Sequence, residues 1–118
     1  MIGAATDVPT EPTIREVRRS EKSVELALLA PRSMLYFSGH FPGHPILPGV
    51  VQVDWAIRLA RRFLSLEKAA ARSIQVKFRK PMPPETAMVL ALAIDAGGRL
   101  AFEYRDGEGI CSSGRIGF

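Results

Sequence analysis

The spacing of hydrophobic positions divides the chain into two periodic regimes joined by a loop. From Thr13 to Ser20 and from Ser23 to Ala30 apolar and polar residues alternate, and the polar "SEKS" between them reads as the turn of a hairpin. After Pro31, "RSMLYF" has room for a single helical turn and leads into a loop dense in Gly and Pro, "SGHFPGHPILPG". From Pro48 to Leu66 the spacing lengthens to that of a helix, with proline at the first turn and no later breaker, which predicts one long helix. Val50, Val53, Ile57, Ala60 and Leu64 line one side of it, thickened by Val51, Trp55 and Leu59, so burial is expected around much of its circumference.

Period two then returns to the end of the chain. "SIQVKFRK" sets Ile74, Val76 and Phe78 on one face, and "ETAMVLALAID" sets Thr86, Met88, Leu90, Leu92 and Ile94 against Ala87, Val89, Ala91 and Ala93. Gly97 and Gly98 form a hairpin signal before "RLAFEYRD", and "ICSSGRIG" follows the turn "GEG". Large side chains on one face and small ones on the other suit a sheet that curls its large face around something. The helix is the only long element available for that place. The pattern therefore predicts an α+β fold, with an antiparallel sheet of about five or six strands wrapped around one long central helix.

With 118 residues the chain holds one core, divided as a flexible tail over 1–12 and a folded domain over 13–118. The opening "MIGAATDVPTEPT" has neither a basic start nor a continuous apolar run, so no signal peptide and no membrane span are expected, and the location implied is cytoplasmic. Cys111 is the one cysteine; it excludes an internal disulfide framework or a Cys-rich metal site, and reads as a small core residue. The net charge of +4 is concentrated in "REVRR", "RLARR" and "KFRK". These groups are either a solvated surface or a contact for an acidic partner. No nucleic-acid motif or interleaved aromatic pattern accompanies them, so an acidic protein is the better partner.

Both histidines lie in the Gly- and Pro-rich loop. His40 sits between Gly39 and "FPG", where Pro42 and Pro45 stiffen the backbone and can hold an imidazole in one orientation. Asp54 follows on the helix among Val53, Trp55 and Ala56, neighbours that would strip its hydration and favour the protonated form a proton donor needs. The bland alternative stays open, because Asp54, Arg58, Arg61 and Ser65 also follow helical spacing and suit a solvated face. Gly49, in the first turn, offers an amide without an intrahelical acceptor and no side chain to obstruct a ligand oxygen. A base, an acid and an oxyanion site so arranged suit proton abstraction α to a carbonyl followed by loss of a β substituent.

"GHFPGHPILPGV" together with Asp54 resembles the hotdog-fold 3-hydroxyacyl-acyl carrier protein dehydratases of the FabA and FabZ type, whose motif is G-H-F-P-x-x-P-x-x-P-G followed by a helical Glu or Asp. "VKFRKPMPPET" and "SSGRI" extend the likeness along most of the chain, and "LYFSGHFP" and "LPGVVQVDW" are most similar to the aryl-polyene-cluster branch. The resemblance implies that His40 takes the α proton and that Asp54 helps the β hydroxyl leave as water. It implies that the amides of Gly49 and Val50 bind the thioester oxygen, without metal or cofactor. It also implies a homodimer with composite sites, each pairing the histidine of one chain with the carboxylate of the other, and an acyl carrier protein as partner. Arg61, Arg62, Arg79 and Lys80 are the candidates for that carrier contact, and His44 is read as a loop residue. Two positions depart from the family pattern. Arg58 stands where a Gln is usual, one turn from Asp54, and would favour the carboxylate over the acid; Pro84 stands where a Gly is common and would alter a turn. The alternatives are a hotdog acyl thioesterase and a non-catalytic acyl- or carrier-binding subunit.

Overall fold

The computed structural model describes residues 11–31, 46–66 and 70–118. Residues 1–10, most of the tail expected over 1–12, lie outside that set, as do "RSMLYF", His40 and His44. Among the described residues, six strands and one helix follow in order: β1 (Thr13–Arg19), β2 (Ser23–Leu29), α1 (Gly49–Phe63), β3 (Ser73–Phe78), β4 (Ala87–Ile94), β5 (Leu100–Asp106) and β6 (Gly109–Gly117). All pairings are antiparallel and the strand order is β1-β2-β4-β5-β6-β3. An antiparallel sheet packed on one helix is what the alternation predicts, and it is the arrangement that the hotdog resemblance implies.

The inward face of the sheet is set by the period of two. Val24, Leu26 and Leu28 of β2, Met88, Leu90 and Leu92 of β4, and Leu100, Phe102 and Tyr104 of β5 are all buried. Against them α1 packs Val51, Gln52, Trp55, Ala56, Leu59 and Ala60. The inward stripe of the helix is thus the one expected only to thicken the face. Val50, assigned to the main face, is 77% exposed, and Val53 and Ile57 are half-buried. The bulk of Trp55, 1% exposed, explains the rotation: burying an indole outweighs burying a valine.

The helix is also shorter than its apolar pattern, ending at Phe63 instead of Leu66. Leu64 caps it through a bond to the Ala60 carbonyl (2.8 Å), and Ser65 takes a left-handed φ of 55° that no helix continues. At the other end Pro48 is the N-cap, not a first-turn residue, with an extended ψ of 145° and no side-chain cap. Pro84 shows its effect one residue on. Proline fixes its own φ, and the positive φ of the turn falls on Glu85 (63°), whose amide donates to the Ala30 carbonyl at 2.8 Å.

The two edges of the sheet differ. β1 carries a register shift between Ile14 and Glu16 and exposed charges at Arg15, Glu16, Arg18 and Arg19. β3 is regular over its whole pairing with β6, and exposes Ile74 (50%) and Phe78 (55%). A bulged, charged edge resists strand addition; a regular edge with exposed apolar residues invites it.

Candidate active site at the helix N-terminus

The chain enters α1 through a segment tied down on several sides. Leu47 is buried, its amide donates to the Met82 carbonyl (2.8 Å), and its own carbonyl accepts from Gln52 Nε2 (3.1 Å). The first intrahelical bonds run from Val51 and Gln52 to the Pro48 carbonyl, so the amides of Gly49 and Val50 come before any helical acceptor. Neither donates to an acceptor among the described residues. They emerge at the positive end of the helix dipole, which suits an oxygen acquiring negative charge.

A cavity of ≈ 350 Å³ opens at this point, lined by Ile46, Leu47, Gly49, Gln52, Phe78, Arg79, Lys80 and Pro81. The Phe78 ring lies across Gly49, where an added Cβ would come within 2.5 Å of Cζ. Glycine therefore lets the ring lie directly over the open amides, and a larger residue would push the half-exposed ring aside. Beyond Phe78 the path of the chain is steered by a bulge: the Tyr104–Arg105 register shift frees the Cys111 carbonyl, which accepts from both the Arg79 (2.8 Å) and Lys80 (3.2 Å) amides. Cys111 is a buried core thiol, as expected, and burial pushes its ionisation up.

Lys80 Nζ pairs with Asp106 Oδ1 at 2.8 Å. The hydrogen bond from Lys80 holds the Asp106 carboxyl below its usual range, and Asp106 holds the ammonium above its own. Arg79 is exposed beside it, so both basic residues of "KFRK" singled out for carrier contact stand at the cavity. Arg61 and Arg62 do not. They occupy the last turn of α1, some 18–20 Å along the axis from Gly49 at the usual helical rise. There Arg62 and Arg19 both place guanidinium groups over the Phe63 ring, at 4.9 and 5.3 Å from its centroid.

Asp54 lies about one and a half turns beyond Gly49, on the outward side of α1. Its side chain is 49% exposed, in contrast to the desolvation expected from its neighbours. The reason is helical rotation: Trp55 and Ala56 turn into the core and carry Asp54 to the opposite side. Arg58 reaches back one turn to Asp54, Nε to Oδ2 at 3.1 Å, and its Nη1 also meets Glu11 at 3.3 Å.

The inward side of the same turn holds a buried polar network that the sequence pattern did not single out. Gln52, 4% exposed, receives the Ser112 hydroxyl on Oε1 at 2.7 Å while its Nε2 donates to Leu47. The Tyr104 hydroxyl donates to the Gln52 backbone carbonyl, also at 2.7 Å. Burial pushes Tyr104 well above the ordinary phenol value, with the negative charge of Asp54 adding to it. The signal in the sequence was a lone amide inside the apolar run "VVQVDW". Polar residues at core positions are rare unless hydrogen-bonded.

The chain matches the family model described as ApeI-like, ApeI dehydratase, over residues 16–115. It is 31% identical over 90 residues to a 3-hydroxyacyl-[acyl-carrier-protein] dehydratase FabZ from Oenococcus oeni, covering 66% of this chain and 65% of the relative. It is 35% identical over 68 residues to the FabZ of a Wolbachia strain from Drosophila simulans, covering 52% of this chain and 48% of the relative. The chain thus spans about half to two thirds of the length of these curated relatives. Among solved structures, the dehydratase heterocomplex ApeI:P from Xenorhabdus doucetiae superposes with a TM-score of 0.82 at 29% identity, covering 90% of this chain and 96% of that one.

Proposed function

The chain belongs to the ApeI-like dehydratase family, and we propose that it converts a 3-hydroxyacyl thioester on an acyl carrier protein to the trans-2-enoyl thioester, in fatty acid or polyene biosynthesis. The family match across residues 16–115 carries this reading, because that span contains the whole of "GHFPGHPILPGVVQVDW".

In the proposed reaction His40 removes the α proton. The electron pair moves into the thioester carbonyl, and the amides of Gly49 and Val50 stabilise the oxygen as it becomes an enolate. The carbonyl then reforms, the Cα–Cβ double bond closes, and the β C–O bond breaks. Asp54 supplies the proton with which the hydroxyl leaves as water. Support comes from the unaccepted amides beside a ≈ 350 Å³ cavity and from Asp54 on the same helix.

Asp54 faces outward, and the regular edge of β3 is unpaired among the described residues. We assign that edge to a second hotdog subunit, giving a homodimer in which each site combines His40 of one chain with Asp54 of the other. The Xenorhabdus relative is a heterocomplex, so a different hotdog chain is the competing occupant. Arg79 and Lys80, at the cavity, are the proposed contacts for an acidic carrier protein, with Arg61 and Arg62 as a more distant part of that surface.

Purified protein is expected to interconvert 3-hydroxyacyl and trans-2-enoyl thioesters, and His40→Ala to lower the rate by a factor on the order of 10² or more. Equal turnover by the two proteins would sink the mechanism. The Asp54–Arg58 pair favours a second reading, a non-catalytic acyl- or carrier-binding subunit. That reading predicts carrier binding without turnover at any acyl length, whereas release of free thiol would identify a thioesterase.

A further inference from the structure

Gln52 occupies a place where an apolar side chain would pack, yet its carboxamide and backbone carbonyl together tie it to three parts of the molecule. Ser112 on β6 holds its oxygen, its nitrogen holds the Leu47 carbonyl, and its backbone carbonyl is held by Tyr104 on β5. A carboxamide has distinct donor and acceptor ends, so the Ser112 hydroxyl donating to Oε1 fixes which end faces Leu47. The Leu47 carbonyl is only one residue removed from the peptide that carries the Gly49 amide, and the intervening Pro48 has a fixed φ of −59°. The orientation of that amide is therefore coupled to the sheet through Gln52. Ser112 is also the cross-strand partner of Phe78, whose ring covers Gly49. Ser112 thus ties the floor of the cavity to β6 through its side chain, and its backbone lies opposite the residue that roofs it.

We propose that Gln52, locked by Ser112, is a positioning residue that aims the Gly49 and Val50 amides at the thioester oxygen. The proposal rests on the dehydratase reading for what those amides bind, but not for their orientation. Gln52 itself does not touch the reacting atoms. Loss of its carboxamide should leave the helix folded and let the Leu47–Gly49 segment rotate, and misplacement by about 1 Å is worth roughly 10²-fold in rate.

Gln52→Met keeps the volume and removes both hydrogen bonds, and Ser112→Ala removes only the lock, as a milder change should Gln52→Met fold poorly. For each full-length variant, turnover of a 3-hydroxyacyl thioester and amide hydrogen exchange at Leu47 and Val51, the bonded amides that flank the Gly49 peptide, are measured together. Expected is a kcat lower by about 10- to 100-fold with KM within about threefold, and exchange at these two amides faster than in wild type while β4 amides keep their wild-type rates. Ser112→Thr, which retains a hydroxyl, should restore both readouts. Unchanged kcat and unchanged exchange at Leu47 and Val51, whatever the melting temperature does, would overturn the proposal and leave Gln52 a packing residue. If wild type shows no turnover while exchange at these amides still responds to both variants, the positioning role stands and the dehydratase reading falls.

Discussion

Gln52 and Asp54 stand two positions apart on one helix and live in opposite environments. Gln52 is buried, and both ends of its carboxamide are bonded to groups the fold holds in place. Asp54 is half exposed and paired with Arg58, a long side chain that also reaches Glu11. The inward face of α1 is finished within the single chain, whereas the outward face, among the described residues, presents a half-exposed carboxylate paired with Arg58. A site with one completed half is what composite sites between subunits require. In the proposed dimer the unbonded amides belong to the completed half, and Asp54 belongs to the half that the second subunit covers.

The largest effect is expected where this contrast is most functional. Asp54→Asn keeps the shape of the side chain but removes its acid–base capacity, and turnover should fall by roughly 10²- to 10⁴-fold. Stability should change by less than ~0.5 kcal/mol, because an exposed side chain on a helix surface contributes little. Dehydration assays and denaturant unfolding of the same preparation check both. If the variant unfolds markedly more easily, Asp54 is a structural residue and the two faces of the helix are not functionally different.

A smaller effect, and a more diagnostic one, is expected at Arg58. An exposed ion pair spaced by one helical turn is worth about 0.3–0.5 kcal/mol, so if the pair stays solvated Arg58→Gln should raise turnover by only about twofold. If a partner subunit buries the pair, removing the arginine changes the acid far more, and the rise reaches tenfold or beyond. Turnover of Arg58→Gln thus reports whether the outward face is covered in the working assembly. A fall in turnover would mean that Arg58 serves the reaction rather than restraining it.

Much of the fold was legible because alternation and helical spacing are local signals. The six strands and their turns follow the pattern almost residue by residue. The inward side of α1 was not, because Val50, Val53 and Ile57 satisfy the same spacing as Val51, Trp55 and Leu59, and only the sheet opposite decides between them. At the site, Gly49 and Asp54 could be singled out from residue type and spacing, and the Arg58 contact follows from one helical turn. The Gln52–Ser112–Tyr104 network could not. Its members are separated by 52 and 60 positions in the chain, and their meeting depends on the register of β5 and β6 against the helix.

That network also supplies the smallest expected effect. Tyr104→Phe removes one buried donor from the Gln52 carbonyl, which as a backbone acceptor inside a helix keeps its intrahelical bond. The loss should be about 1 kcal/mol, read as a lower denaturation midpoint at unchanged slope. The wild-type hydroxyl makes a second statement about the same face. Burial raises the Tyr104 ionisation, so folding favours the protonated phenol. This contribution is complete below the unfolded value of about 10 and is lost as pH rises above it, since only the unfolded chain then sheds the proton. The chain has two tyrosines. An alkaline absorbance titration of folded protein should therefore show at most one of them ionising near pH 10, with Tyr104 appearing only as the protein unfolds. Two phenols titrating together in folded protein would mean that the inward face of α1 is open to water. The contrast with the Asp54 face would then be lost.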